Sequence, residues 1–225
     1  MSHISSTPHS HTGEVSPTDA KHPDHGAHDE NKHDHEPGHT DAESQDDGHQ
    51  HGAPDEVPSL LVRETPFETG SILPGLVGEQ WPGGPMGWPG VTYLDEVARQ
   101  AYRITIHDGF VYDAQGRLFD TSQGVSAFVG GSEGRAIFVM DKHGNLYAST
   151  NHEAGIFHHS SFFAGGEVAS AGELVVKDGR IELLTDHSGH YRPGPARTMQ
   201  VLEQLASQGV VIDPARIDLW QAGGS

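Results

Sequence analysis

Apolar and polar positions alternate with a period of two along much of the chain after residue 102. Three segments share one pattern, in which an Asp and a Gly separate two apolar or aromatic stretches: FVYDAQGRLFD at 110–120, FVMDKHGNLYAS at 138–149 and LVVKDGRIELL at 174–184. Such alternation is typical of half-buried strands, and Asp with Gly suits a tight turn in which Gly adopts a positive φ. The pattern predicts antiparallel hairpins.

Helical periodicity appears on either side of these segments. A short helix is predicted at 93–101, with Thr92 as its N-cap, and an amphipathic helix at 196–208. Asp213 followed by proline predicts a final short turn or helix at 215–219. The fold class is therefore α+β, with an antiparallel, sheet-rich core and two or three flanking helices.

Composition divides the chain into three parts. Residues 1–57 hold 13 acidic side chains, two lysines and 11 histidines, with almost no aliphatic or aromatic side chains. Such a segment cannot bury enough apolar surface to offset its chain entropy, so a disordered tail is predicted before the folded part. Residues 58–90 are rich in Pro and Gly and predict a linker, and residues 91–225 predict the α+β domain.

Two tryptophans, Trp81 and Trp88, lie within the Pro- and Gly-rich segment. Their indole rings could pack on the domain as a strap. Alternatively, they could cover a ligand cleft or form a contact with a partner. The sequence favours the strap and leaves the other two roles open.

The charge balance argues against several function classes. The formal net charge is −19, and residues 58–225 carry 19 acidic against 11 basic side chains. Neither part has the basic surface that nonspecific nucleic-acid binding needs. The chain has no run of 18 apolar residues and no recognisable signal peptide, so we expect a soluble protein without a membrane span. Because it has no cysteine, disulfides and thiolate zinc sites are excluded.

The histidines of the tail are the first candidate ligands. In KHPDHGAHDENKHDHEPGH, imidazoles and carboxylates follow one another at spacings that could chelate a divalent metal weakly. Alternatively, this is a solvated arm whose histidines gain protons below about pH 6.5. The solvated arm is the favoured interpretation, since nothing in the segment holds four ligands in a defined geometry.

The densest set of candidate catalytic side chains lies in the stretch 155–193. His158-His159-Ser160-Ser161 places imidazoles beside hydroxyls in β-patterned sequence, where one residue of each adjacent pair would face the core. Glu173 is predicted to open a strand, where its carboxylate could stabilise a developing cation. SGHYRP at 188–193 adds His190, Tyr191 and Arg192, a set that could bind a phosphate and stack a base.

These residues carry a resemblance to known families. The run FHHSSFFAGGEVASAGELVVKDGRIELLTDHSGHYRP resembles a module in the C-terminal toxin domains of bacterial Rhs and other polymorphic toxins. It is also similar to the core of the plant IQ-motif-containing protein family, through its HSSF-AGG and SGHY-P elements. The resemblance spans about residues 93–210. The sequence contains no IQxxxRGxxxR segment, so calmodulin binding is not carried over from the plant family.

The toxin resemblance implies an effector that acts on a macromolecular target in another cell or host. Several such domains are ADP-ribosyltransferases, so it implies NAD as cofactor, a cognate immunity protein as partner, and delivery into another cell or secretion without a signal peptide. In that class Arg103 would hold NAD, Ser160 and Ser161 would support the nicotinamide pocket, and Glu173 would be the catalytic carboxylate. The short spacing between Ser161 and Glu173 departs from the class pattern.

This departure makes His159, His190 and Tyr191 rival site residues and leaves two alternatives open. An NAD-independent nuclease could use His159 and His190 as base and acid. A noncatalytic binding module could use the same polar loop only to hold its hairpins together. The transferase is the main expectation, and no structured metal site is predicted.

Overall fold

The computed structural model describes residue 56 and residues 58–126 and 134–220, and its fold is α+β, as predicted. The strands are β1 (Arg103–His107), β2 (Phe110–Tyr112), β3 (Val125–Ser126), β4 (Ala136–Met140), β5 (Leu146–Ser149), β6 (Asn151–His152), β7 (Ser170–Lys177), β8 (Arg180–Thr185) and β9 (Ile217–Asp218). The α-helices are α1 (Glu96–Arg99) and α2 (Gly194–Ser207), and 3₁₀ helices span Pro74–Leu76, Gln100–Tyr102, His159–Phe163 and Pro214–Arg216. The predicted tail lies outside the described residues, apart from residue 56.

The main sheet of the described residues has seven strands in the order β2-β1-β5-β4-β7-β8-β9. Its neighbouring strands are antiparallel except for β9, which pairs parallel to β8. Strands β3 and β6 form a separate parallel pair. The antiparallel sheet predicted from the period of two is thereby confirmed.

All three predicted Asp-Gly turns are present. The turn at 141–144 joins β4 to β5, and the turn at 178–179 joins β7 to β8. At the second of these, Asp178 and Gly179 both have positive φ, 45° and 75°. Two consecutive positive φ values are the requirement of a type I′ turn, whose twist matches that of the flanking strands. Local sequence therefore determines these hairpins.

The main sheet has an apolar cluster on each face. On one face, Phe138, Leu174 and Leu184 pack with Val201 and Leu205 of α2. On the other face, the residues of the cluster come from β4, β5, β7 and the 3₁₀ helix at 159–163, together with isolated residues of the loops: Ile72, Ile137, Val139, Tyr147, Phe157, Phe162, Val168, Ala171 and Tyr191. The alternation of side chains along each strand places successive residues in different clusters.

The helix predicted at 93–101 is shorter than expected, because its cap lies three residues later. Asp95, and not Thr92, is the N-cap: its carboxylate accepts a hydrogen bond of 2.7 Å from the Ala98 amide. The α-helix then covers Glu96–Arg99 and continues as a 3₁₀ turn. The second helix was predicted at 196–208 and begins two residues earlier, at Gly194.

Replacing Asp95 by alanine is expected to lower the free energy of unfolding by about 1 kcal/mol, because the Ala98 amide loses its acceptor at the helix start. Chemical denaturation measures the change. Asp95→Asn retains a side-chain acceptor and is the matched control, expected to lose much less. Equal losses in the two variants would contradict the capping role.

The stretch around His158 does not form the predicted strand. Residues His159–Phe163 form a 3₁₀ helix, in which the Ser161 hydroxyl accepts a hydrogen bond from the His158 amide. Ala164 ends this helix with a positive φ of 52°. A side-chain acceptor beside the first turn offers the backbone an alternative to a strand ladder, which explains the difference. As a result, both histidines and both serines are buried.

The segment 58–90, predicted as a linker, has little regular structure and contributes buried side chains to the compact unit formed by residues 49–225. Phe67 and Ile72 each enter one of the two apolar clusters. The Gly70 amide donates to the Val168 carbonyl at 2.8 Å, and the Leu73 amide to the His190 carbonyl at 2.8 Å. The division into linker and domain remains a prediction. No helix among the described residues is long and apolar enough to cross a membrane.

Candidate functional site

Five buried polar side chains come together beside the 3₁₀ helix at 159–163, and we call them the histidine cluster: Glu79, His152, His158, His159 and His190. They come from four separate parts of the chain: the loop before α1, strand β6, the turn into the 3₁₀ helix, and the loop after β8. Ionisable side chains are buried this completely only when they are paired or hydrogen bonded. The contacts within the cluster therefore decide which protonation states it can hold.

The imidazole of His158 is held in one tautomer by its two neighbours. Its Nε2 accepts a hydrogen bond of 2.8 Å from the Gly155 amide. An acceptor nitrogen carries no proton, so the proton of the neutral ring is on Nδ1. Nδ1 lies 3.0 Å from Nε2 of His152 and donates to it. The geometry therefore assigns His158 a neutral ring and makes Nε2 of His152 an acceptor.

His159 is tied to the main sheet through its other nitrogen. Its Nε2 donates to the Gly172 carbonyl of β7 at 2.9 Å. Its Nδ1 is buried and has no hydrogen-bond partner. The buried Ser160 hydroxyl also has none. A proton on Nδ1 would create a buried cation without an acceptor, so this ring too is neutral.

Glu79 and His190 form a hydrogen-bonded carboxylate–imidazole pair in the cluster. The His190 Nε2 lies 3.1 Å from Oε2 of Glu79, and the Tyr93 hydroxyl donates to Oε1 at 3.4 Å. Burial by itself would raise the pKa of Glu79. The hydrogen bond from His190 and the nearby Ser160 hydroxyl, with smaller favourable electrostatic contributions from the His190 and His158 rings, outweigh burial and hold the pKa of Glu79 below its ordinary value. The Ser160 hydroxyl lies close enough to lower the pKa of Glu79, although its geometry is not that of a hydrogen bond.

Aromatic stacking closes the cluster on its outer side. The half-buried Trp88 ring stacks on His158 with centroids 4.9 Å apart, and the His158 ring lies 4.6 Å from that of His190. A Cβ at Gly155 would lie 2.8 Å from the Trp88 ring, so glycine is required for the indole to approach this closely. Trp88 therefore forms the strap that its sequence context favoured.

Burial lowers the pKa of each of the three neutral histidines. Desolvation, reinforced by the charge of His190, lowers the pKa of His152 to about 4. Desolvation, together with the unfavourable electrostatic effect of a proton on His190 or His152, lowers the pKa of His158 to about 3. Desolvation also lowers the pKa of the His159 imidazole well below its ordinary value. All three rings are therefore uncharged at neutral pH.

The other predicted site residues have structural contacts outside the cluster. Glu173 lies in the middle of β7, not at its start, and pairs with Arg135 at 2.9 Å. Arg103 donates to the carbonyls of Pro58 and Ser59 at 2.6 and 2.7 Å. Strands β1 and β7 are separated by β5 and β4, so their backbones lie about 14 Å apart at ~4.8 Å per strand. Arg103 and Glu173 therefore contact different parts of the chain, on strands that are not neighbours in the sheet.

Ser161 and Tyr191 also have structural partners. Ser161 accepts the hydrogen bond from the His158 amide, and the Tyr191 hydroxyl donates to the Gly166 carbonyl at 2.8 Å. Desolvation, with the charges of Tyr93 and Glu79, raises the pKa of Tyr191. Of the seven predicted residues, the structure brings His159, Ser160 and His190 together around Glu79. Whether any of the seven has a catalytic or cofactor-binding role stays a prediction.

Sequence reasoning missed Glu79, His152 and the contact of Trp88 with His158. One signal for Glu79 was available, because it is the only charged residue between Gly70 and Leu94. A lone charge in a neutral, apolar segment either is solvated or has a specific buried partner. Nothing in the sequence identified that partner as His190.

The chemistry open to the histidine cluster is narrow. Its side chains are buried, so a polymeric phosphate cannot reach His159 or His190 in this conformation. No group of three or more His, Cys, Asp or Glu side chains in the described part of the chain could hold a metal ion. The arrangement can hold separate segments of the chain together, and its stability depends on the protonation of the imidazoles.

The middle of the chain is similar to known proteins. The family model of the IQ motif-containing protein middle domain matches residues 98–198, just under half of the chain. IQ domain-containing protein IQM2 of Arabidopsis thaliana is 35% identical over 128 residues, which are 56% of this chain and 20% of that protein. No solved structure matches the chain.

Two further Arabidopsis thaliana proteins show the same relationship. IQ domain-containing protein IQM1 is 37% identical over 103 residues, covering 46% of this chain and 19% of that protein. IQ domain-containing protein IQM3 is 34% identical over 129 residues, covering 56% of this chain and 26% of that protein. This chain therefore spans only about a fifth to a quarter of the length of these relatives.

The similarity to the plant IQ-motif-containing family, predicted from the HSSF-AGG and SGHY-P elements, is confirmed. The prediction of a bacterial Rhs-type toxin with ADP-ribosyltransferase activity is wrong, because the relatives are plant IQ domain-containing proteins. The immunity protein and the delivery into another cell lose their basis with it. NAD binding stays an untested prediction, and weak metal binding by the tail concerns residues outside those described.

Proposed function

We propose that the folded part of this chain is a noncatalytic binding module, and that residues 74–91, here called the recognition loop, form its contact surface. The single observation that carries the proposal is a set of large apolar side chains exposed on this loop. Val77 is 63% exposed, Trp81 67% and Met86 53%. Exposed tryptophan and methionine are typical of interface centres.

The segment that carries these three side chains contains almost no charged residues. Between Gly70 and Leu94 the only ionisable acid or base apart from Tyr93 is Glu79, and its carboxylate is buried. Residues 58–225 as a whole carry 19 acidic and 11 basic side chains. A neutral, apolar loop on an acidic domain matches the charge-depleted centre and charged surroundings of a protein interface.

The recognition loop is held in one conformation by its own backbone. The Gly83 amide donates to the Trp88 carbonyl at 2.9 Å, and the Val91 amide to the Glu79 carbonyl at 3.0 Å. A Cβ at Gly84 would lie 2.5 Å from the Gly78 carbonyl oxygen, so this crossing needs glycine. A preformed loop loses little conformational entropy on binding, which favours affinity.

The histidine cluster anchors this loop to the domain. Glu79 binds His190 and Trp88 stacks on His158, so one acid and one indole of the loop point inward while Trp81 points outward. This interpretation gives the buried histidines a structural task and requires no bound substrate. It supports the binding module over the nuclease alternative.

The comparisons support a binding role at a coarser level. The relatives are named for an IQ domain, and the matched model is a middle domain. This chain contains no IQxxxRGxxxR segment, so calmodulin binding by such a motif is not part of the proposal. The recognition loop precedes residue 98, so the proposal concerns residues of this chain outside the matched model.

The partner fitted to this loop is a folded protein with an apolar pocket for the Trp81 ring and a basic rim. A convex aromatic anchor needs a concave apolar partner, and the acidic domain would attract positive charge at the periphery. Long-range attraction of this kind accelerates association and weakens with salt.

Substituting Trp81 by alanine is expected to weaken partner binding at least 30-fold, about the loss of a hot-spot side chain of 2 kcal/mol. The partner is first identified by photo-crosslinking from positions 77 and 86 of the full chain in a lysate of the cells that express it. Its dissociation constant is then measured by calorimetry with the purified partner.

Met199→Ala is the matched control, because Met199 is an exposed apolar side chain on α2, away from the recognition loop. This variant should bind as well as the unsubstituted chain. Equal affinity of Trp81→Ala and the unsubstituted chain, or the same loss in both variants, would contradict the proposed surface.

A further inference from the structure

We propose that the histidine cluster is an acid-sensitive latch: protonation of its neutral imidazoles releases the recognition loop from the domain. The proposal stands on the direction of the hydrogen bonds in the cluster and on the contacts that join the cluster to the loop. Its regulatory meaning rests on the proposed function of that loop, whereas the opening itself does not.

His158 is the ring that a second proton would affect most directly. In the closed arrangement its Nε2 accepts from the Gly155 amide and its Nδ1 donates to His152. An imidazolium has a proton on both nitrogens and accepts nothing. Protonation would therefore set two N–H groups against each other at 2.8 Å, and Gly155 or His158 has to move.

His152 and His159 resist protonation for related reasons. Nε2 of His152 accepts the proton that His158 donates, so a proton there removes the hydrogen bond between the two rings. His159 donates from Nε2 to Gly172, and its Nδ1 faces a buried space without an acceptor. An open loop would let water solvate these cations, so protons favour the open state.

The other ionisable groups that face the cluster offer no acceptor that would stabilise a positive charge on His152, His158 or His159. The Glu79 carboxylate is already occupied by His190 and approached by Tyr93, and Tyr191 binds the Gly166 carbonyl. Further positive charge on His158 or His152 would also repel a protonated His190, whose ring lies 4.6 Å from that of His158.

Two contacts connect this chemistry to the recognition loop. The Trp88 ring rests on His158 and is fitted against Gly155, the residue that a proton on His158 would displace. Glu79 enters the cluster nine residues earlier in the same loop, and the Val91 amide binds its carbonyl. Movement of Gly155 and His158 therefore removes the support of Trp88, and it also shifts the ring that lies beside His190, the partner of Glu79.

The opening equilibrium constant of the latch is expected to change strongly between pH 7 and pH 5. In the open state, where water reaches the rings, the imidazoles of His152 and His158 have the ordinary pKa of 6.5. In the closed state their pKa values are about 4 and about 3. If opening frees both rings, linkage raises the opening equilibrium constant by up to about 500-fold between pH 7 and pH 5. One freed ring gives about 20-fold.

Hydrogen exchange on the full chain tests the latch without any partner, so its outcome is independent of whether Trp81 binds anything. Protection factors, corrected for the intrinsic pH dependence of exchange, are measured at pH 7 and pH 5 for the loop amides of Gly83, Gly87 and Val91. They are compared with the ladder amides that join β4 and β7. Loop protection should fall between 20- and 500-fold while ladder protection is unchanged.

Two substitutions to glutamine separate the latch from a general acid effect. His158→Gln retains an acceptor for the Gly155 amide but cannot titrate, so the pH response of the loop should shrink about 20-fold or more. His107→Gln changes an exposed histidine at the end of β1 and should leave the response intact. Loop protection that is equal at pH 7 and pH 5, a parallel loss in the ladder, or a full response in His158→Gln would each overturn the latch.

Discussion

Replacing Glu79 by alanine should lower the free energy of unfolding by about 2–3 kcal/mol, the cost of removing a buried carboxylate acceptor and leaving its hydrogen-bond donors without a partner. The substitution leaves the His190 Nε2 buried opposite an apolar group and removes the acceptor of the Tyr93 hydroxyl. It also leaves a space where the carboxylate was. Denaturant-induced unfolding at pH 7 measures the loss, as a shift in the midpoint at constant slope.

Glu79→Gln separates charge from hydrogen bonding, because the amide oxygen can still accept from His190. This variant should lie between alanine and the unsubstituted chain. Glu203→Ala is the matched control: Glu203 pairs with Arg63 at 3.1 Å on the surface, and exposed pairs contribute about 0.5 kcal/mol. Similar losses for Glu79→Ala and Glu203→Ala would show that the buried pair does not anchor the loop.

Acidification from pH 6.5 to pH 4 should destabilise the folded domain by several kcal/mol. The unfolded chain binds protons on His152 and His158 near the ordinary pKa of 6.5, whereas the folded state binds them only near about 4 and 3. Between these values the unfolded state holds more protons, so each fall in pH favours unfolding. The two rings contribute up to about 3 kcal/mol each at pH 4.

Glu79 acts in a lower range of pH. Its pKa in the folded state lies below the ordinary 4.5, so the stability it contributes is present above pH 4.5 and is lost as the pH falls through the folded value. The loss between pH 6.5 and pH 4.5 is therefore assigned to the histidines. Unfolding free energies measured by denaturant at half-unit intervals of pH give the two ranges separately.

The double variant His152→Gln/His158→Gln should make the curve above pH 4.5 less steep, with His159 responsible for the remaining slope, and His107→Gln should leave it unchanged. These variants differ in burial but carry the same type of substitution. An unsubstituted chain whose stability is constant from pH 6.5 to pH 4.5 would contradict the neutral state assigned to the cluster.

The predictions that succeeded depend on neighbouring residues. The turns at 141–144 and 178–179 were recognised because Asp and Gly adopt the required dihedral angles within two or three residues. The helix at Gly194–Ser207 was located within two residues from its periodicity. Hairpins and amphipathic helices also imply how they pack, since each has one apolar side, and so the α+β class could be predicted.

The strand predicted around His158 failed because a local side-chain contact competes with the strand ladder. Alternating residues around His158 suggested a strand, but the Ser161 hydroxyl binds the His158 amide and stabilises a 3₁₀ helix instead. The NAD-site roles of Arg103 and Glu173 stay a prediction; in the structure Arg103 donates to the Pro58 carbonyl and Glu173 pairs with Arg135. Residue type indicates which contacts are possible and not which one forms.

The sequence by itself determined the hairpins, the second helix and the charge character of each part, because these follow from dihedral preferences and periodicity along a few residues. Only the tertiary structure decided that Glu79 meets His190, 111 positions later, and that Trp88 rests on His158. The physical reason is that a buried charge is stable only with a partner, and folding can bring that partner from any part of the chain. The same packing buries Glu79 and the four histidines and leaves Trp81 exposed.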